Sequence, residues 1–98
     1  MYLVKFSRQA EKDKSRLKAA GLETKAKSLL NIMVQNPFQN PPPYEKLVGN
    51  LSGNFSRRIT IQHRLVYAVL ENTAGYAAPS GALYEGIVFI KRMWTHYE

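Results

Sequence analysis

The sequence predicts an α+β domain: a small sheet of four to five strands with an N-terminal two-helix hairpin packed on one face, in the order β-α-α-β-β-β-β. Three observations point there. A β-forming segment opens the chain at residues 2–6, and two stretches of helical period follow it with no strand between them. From residue 44 onward the pattern turns to short β-branched and aromatic runs separated by turn residues. At 98 residues with no cysteine, the chain reads as a single domain over 1–98 whose core must form without disulfides or thiolate metal sites.

Tyr2 to Phe6 alternates apolar and polar residues and reads as the first strand. Ser7 offers a hydroxyl to cap the helix that follows. Ala10, Leu17 and Ala20 keep near-helical spacing up to Gly21, a residue suited to the left-handed backbone that ends helices. A second helix is expected from about Glu23 to Val34, with Leu22, Ala26, Leu29, Leu30 and Met33 on one apolar stripe. Asn36-Pro37 and Asn40-Pro41-Pro42-Pro43 then break helical structure, because proline lacks an N–H and pushes its predecessor toward extended geometry.

A brief strand is expected over Tyr44 to Val48, then turn residues Leu51-Ser52-Gly53-Asn54, a strand of about Phe55 to Thr60, and another over His63 to Leu70. In that last strand Leu65, Tyr67 and Val69 share one face, and Arg64, Val66 and Ala68 share the other. Residues 71–86 are rich in small side chains without a period and read as a long, mobile hairpin loop. Ile87-Val88-Phe89-Ile90 is the continuous apolar run of an interior strand. Helices on one sheet face leave the opposite face open for binding.

Lys and Arg number 14 against 7 acids, a formal charge of +7. Such a field attracts nucleic acid, an anionic membrane surface or an acidic protein, and charge alone does not separate them. No apolar stretch is long enough to cross a bilayer, and the N-terminus is charged too early for a secretory signal, so a cytoplasmic protein without a membrane partner is expected. The first thirty residues hold eight of the fourteen cations, the footprint of a surface that docks on backbone phosphates.

The chemistry-bearing residues are Glu45 after the prolines, Arg58 and Arg64 on neighbouring strands, and His96 near the end. RNA cleavage needs an acid, a base and a cation when the substrate's 2′-hydroxyl is the nucleophile, and no cofactor or metal enters that scheme. Glu45 would take the 2′ proton, the arginines would hold the phosphorane oxygens, and His96 would protonate the leaving 5′-oxygen. Tyr97 could stack on an extruded base. Each residue also has a plain structural reading: Glu45 and His96 as solvated groups, the arginines as ion-pair partners of Glu45 or Glu71. His63 has the wrong parity to join Arg64, and Tyr67, Phe89 and Trp94 read as core. No Gly-rich phosphate loop, metal-ligand pair at helical spacing or serine triad is present, which leaves NTP hydrolysis and acyl transfer without support.

The block Asn50-Leu51-Ser52-Gly53, Ser56-Arg57-Arg58-Ile59-Thr60 and His63-Arg64-Leu65-Val66-Tyr67-Ala68-Val69, closed by His96-Tyr97, resembles the YoeB/Txe branch of the RelE-type toxins. The resemblance implies the toxin of a type II toxin–antitoxin pair that cuts mRNA in the ribosomal A site. It implies Glu45 as general base, Arg64 at the transition state, His96 as general acid, Arg58 as a further phosphate contact and Tyr97 as the terminal tyrosine. The implied partners are a cognate antitoxin, the ribosome with its mRNA, and a second toxin copy as homodimer, with DNA reached only through the antitoxin.

Three departures stand out. Val48 occupies a position where the branch carries a lysine, with Lys46 nearby as the substitute substrate contact; the 72–86 loop is long; and Glu98 follows Tyr97, where its carboxylate favours the charged form of His96. The competing reading is a basic RNA- or ribosome-binding module that stalls translation without cutting.

Overall fold

A computed structural model describes residues 1–95. Its elements are β1 (Leu3–Phe6), α1 (Arg8–Ala19), α2 (Glu23–Gln35), β2 (Glu45–Lys46), a 3-10 turn (Gly49–Leu51), β3 (Phe55–Arg58), β4 (Arg64–Leu70) and β5 (Ile87–Thr95). The five strands form one mixed sheet in the order β1-β5-β4-β3-β2. β1 runs parallel to β5, and every other neighbouring pair is antiparallel. The α+β class and the element order are as the sequence predicts.

Ser7 is the cap of α1. Its Oγ accepts from the Ala10 amide at 3.0 Å and donates to the Lys91 carbonyl at 2.7 Å, so one hydroxyl both starts the helix and ties it to β5. Gly21, at φ 73°, makes the left-handed turn between the helices. The helices place Ala10, Leu17, Ala26, Leu29 and Met33 against Leu65, Tyr67, Val88, Ile90 and Met93 of the sheet. Ala20, which helical spacing assigns to the same stripe, is instead the exposed C-cap.

Asp13 is a buried acid inside an otherwise basic helix. β1 stops at Phe6, opposite Ile90, so among the described residues the edge of β5 beyond that point has no strand partner. Asp13 takes that place: its Oδ2 accepts from the Met93 amide at 2.9 Å and from Arg92 Nε at 3.0 Å, and its Oδ1 accepts from Gln9 at 3.1 Å. Burial works to raise its pKa, but the Met93 amide, Arg92 and Gln9 together outweigh it and hold the carboxyl below its ordinary value.

Several boundaries differ from expectation. The strand placed at Tyr44 to Val48 shrinks to Glu45–Lys46, an edge pair. The strands placed at Phe55 to Thr60 and His63 to Leu70 lose the residues between Arg58 and Arg64 to a tight turn, because Thr60 Oγ1 accepts from the Gln62 and His63 amides. Phe89, read as core, alternates to the other face between Val88 and Ile90 and pairs with Ala68. The 71–86 segment, read as mobile, is stitched together by Asn72, which donates to the Tyr76 and Tyr84 carbonyls and accepts from the Tyr76 amide. A bridge between Ala77 and Leu83 closes its tip.

Candidate active site

In an antiparallel ladder, directly opposed residues share a face. Glu45 opposes Ser56, which opposes Val66; two positions along, Arg58 opposes Arg64, which opposes Thr95. Glu45, Arg58 and Arg64 therefore stand on the sheet face turned away from the helices. They meet in a shallow cleft lined by Pro43, Tyr44, Glu45, Ser56, Arg58 and Arg64, with buried Ser56 as its floor. Elsewhere on that face Lys5 donates to the Tyr76 hydroxyl at 2.8 Å, so the 71–86 loop screens the β1 side and the cleft occupies the other.

Arg64 Nη1 lies 3.4 Å from Glu45 Oε2. The pair is long and its carboxylate side chain is 61% exposed, against 20% for Arg64, so it contributes little to stability. What it does is aim a held guanidinium and an accessible carboxylate at one point. Of the two candidate ion-pair partners for Arg64, the structure selects Glu45. Arg58 is exposed and directly opposite Arg64. Like charges facing each other across strands are unfavourable, and two guanidinium forks with, among the described residues, the Glu45 carboxylate beside them form a site suited to an anion with several oxygens.

Two register shifts on β5, between the partners of Arg64 and Val66 and between those of Val66 and Tyr67, re-aim this end of the sheet. Met93 is buried and Trp94 packs against the core, where the Trp94 ring stacks on His63 at 4.0 Å and 22°. His63 is thus on the helix side, as its parity predicts. Lys46 opposes Phe55 and points away from the cleft, and Val48 is 80% exposed beyond it. His96 and Tyr97, the expected general acid and stacking residue, lie outside the described residues.

Sequence reasoning passed over Arg57. It opposes Leu65 and is buried on the core side, where its guanidinium donates to the carbonyls of Pro42, Gln39 and Pro37 at 2.6, 2.8 and 3.0 Å. Tyr67 donates to the same Pro37 carbonyl at 2.7 Å. Burial raises the Tyr67 hydroxyl above its ordinary 10.0 and outweighs the pull of Arg57, so it remains a neutral donor. The signal that could have found Arg57 is its phase: it alternates with Arg58 and so must face the core. A separate apolar groove of about 280 Å³ lies between the helices, lined by Phe6, Leu17, Leu30 and Met93 with Lys14 and Lys27 at its rim, on the other side of the sheet from the cleft.

The description of YoeB-like toxins of bacterial type II toxin–antitoxin systems fits residues 6–78 of this chain, a span that includes Glu45, Arg58 and Arg64. The chain belongs to that family. It is 44% identical to the toxin YoeB of Escherichia coli strain K12 over 54 residues, which are 55% of this chain and 64% of that protein. The aligned stretch is thus just under two thirds of the relative. Two solved structures from Staphylococcus aureus are similar over nearly the whole length. A YoeB dimer is 28% identical with a TM-score of 0.72, covering 98% of each chain. A heterotetrameric YoeB–YefM toxin–antitoxin complex is 27% identical with a TM-score of 0.71, covering 99% of each chain. The YoeB-like toxins therefore account for the fold, and the arginine-bearing strands that carried the resemblance are β3 and β4 of the common sheet.

Proposed function

We propose that the chain is the toxin of a type II toxin–antitoxin pair and cuts mRNA in the ribosomal A site, using the substrate's own 2′-hydroxyl. Glu45 accepts the 2′ proton as the 2′-oxygen attacks phosphorus. Arg64 and Arg58 hold the non-bridging oxygens of the phosphorane, whose charge exceeds that of the ground state, so their contacts strengthen along the reaction. The P–O5′ bond then breaks, His96 gives its proton to the departing 5′-oxygen, and the products are a 2′,3′-cyclic phosphate and a 5′-hydroxyl. Atoms and charge balance without a metal ion or cofactor. Tyr97 is assigned to stacking on a base beside the cut. Lys46, on the opposite parity, is assigned to ribosome contact at the sheet edge.

The observation that carries this reading is the convergence of Glu45, Arg64 and Arg58 in one cleft on the helix-free face. The dimer and the YoeB–YefM complex of the Staphylococcus aureus relatives support two protein partners: an antitoxin and a second copy of the toxin. No helix among the described residues is long and apolar enough to cross a membrane, and a ribosomal target places the protein in the cytoplasm. DNA contact is assigned to the antitoxin.

The test is purified protein added to a translating extract, with mRNA ends mapped. Discrete cuts within A-site codons that disappear in Glu45→Ala and His96→Gln are the expected result. Translation arrest with intact mRNA would favour the second reading, a basic module that occupies the ribosome, to which the cation-rich first thirty residues are equally suited.

A further inference from the structure

One wall of the cleft is made by a segment with little regular structure of its own. Residues 37–43 hold four prolines, which have no N–H to give, and no strand among the described residues pairs with them. Their course is set from beneath by the core: Arg57 takes the carbonyls of Pro37, Gln39 and Pro42, and Tyr67 takes that of Pro37 a second time. The segment runs straight into Pro43, Tyr44 and Glu45, and the Tyr44 ring lies 5.1 Å from the Arg57 guanidinium carbon.

Arg57 is 1% exposed and, among the described residues, has no carboxylate partner. Burying a cation on carbonyls alone is expensive, and an apolar side chain of similar size would fill the same volume at less cost. A buried guanidinium is nevertheless the only side chain with enough donors in one plane to gather several carbonyls. We propose that Arg57, assisted by Tyr67, is a positioning residue: it latches the proline segment to the core and so sets how Glu45 approaches Arg58 and Arg64. The inference rests on the reading that Glu45 is the general base, and its test separates the two.

The test uses Arg57→Lys, which keeps the charge but not the fork, and Tyr67→Phe, which removes one of the two bonds to Pro37. In the free protein, NMR follows the Tyr44 ring signals, shifted by Phe38 and Phe55 at 5.7 and 6.0 Å, together with amide exchange in β2 and in β4–β5. Arg57→Lys is expected to move the Tyr44 signals and to speed β2 exchange at least about tenfold with β4–β5 unchanged. On programmed ribosomes, single-turnover cleavage falls roughly ten- to a hundredfold while ribosome affinity stays within about twofold, since a misplaced base acts on rate. Tyr67→Phe shifts the same signals by less, and adding it to Arg57→Lys brings less than the product of the two losses, because both act on one carbonyl. Exchange that rises equally in all strands, or Tyr44 signals and cleavage that stay at wild-type values, overturns the latch. If wild-type protein cuts nothing, the cleavage reading falls and the NMR arm alone decides. Should Arg57→Lys fail to fold, Tyr67→Phe decides by the same readouts: moved Tyr44 signals and faster β2 exchange with β4–β5 unchanged uphold the latch, and wild-type values throughout overturn it.

Discussion

Replacing Asp13 by alanine tests the claim that one carboxylate stands in for the missing strand beside the end of β5. The substitution deletes acceptors for the Met93 amide, for Arg92 and for Gln9. Gln9 is exposed and the Arg92 side chain is 38% exposed, so both recover water and contribute little. The Met93 amide is buried and recovers nothing; an orphaned buried donor costs about 1–3 kcal/mol, and the missing charge-assisted bond brings the total to about 3 kcal/mol. Against a domain stability of about 5–15 kcal/mol this is a large fraction, and it lowers the melting temperature by on the order of 15 °C. Urea titration measures it directly. A loss below about 0.5 kcal/mol would refute the reasoning.

The same residue fixes a pH dependence. Because the fold holds the Asp13 carboxyl below its ordinary 3.8, its contribution is complete above that value and is lost as pH falls through the lower folded value. The stability advantage of wild type over Asp13→Asn should stay flat from about pH 8 to 5 and close only below pH 3.8. An advantage that grew on acidification would contradict the assignment.

Arg64→Ala should cost roughly a hundredfold or more in single-turnover cleavage with a much smaller change in ribosome affinity, because its hold on the phosphate strengthens at the transition state; equal losses in both would remove its role. Substituting Lys12, Lys18 and Lys25, all exposed on the helices, should weaken ribosome binding and reduce its salt slope by about 0.7–0.9 for each phosphate left without its lysine. A salt response that those changes leave alone would argue against docking through the helices. Gly86→Ala should destabilise by about 1–3 kcal/mol, since a Cβ there would meet the Leu70 carbonyl at 2.9 Å and the Tyr2 ring at 3.0 Å; calorimetry decides it.

The parts of this molecule legible in the sequence are those written in short periods. The stripe of α2, the Ser7 cap and the Gly21 turn depend on neighbours within a few residues, and all three are readable there. The sheet face shared by Arg58 and Arg64 follows from alternation. What stays hidden depends on partners far along the chain. Asp13 looks like one more polar position on a charged helix until β5, about eighty residues away, presents an unpaired amide to it. Alternation with Arg58 turns Arg57 toward the core, but what it holds there, the carbonyls of the proline segment, does not show in the sequence. The 71–86 loop lacks a period because its order comes from the Asn72 side chain and a few isolated backbone bonds and not from a repeating pattern.

The strand order also fixes when this molecule can exist as a folded object. β5 is the last of the described elements in chain order, yet it lies between β1 and β4 and carries the backbone groups that Ser7 and Asp13 hold. Until residues 87–95 clear the ribosomal exit tunnel, the first strand has no strand beside it, the opening helix lacks the strand to which Ser7 and Asp13 tie it, and Arg64 lacks one of its two flanking strands. Long-range closure of this kind comes last in synthesis. The face that carries Glu45, Arg58 and Arg64 thus gains its complete sheet only after its latest strand has emerged.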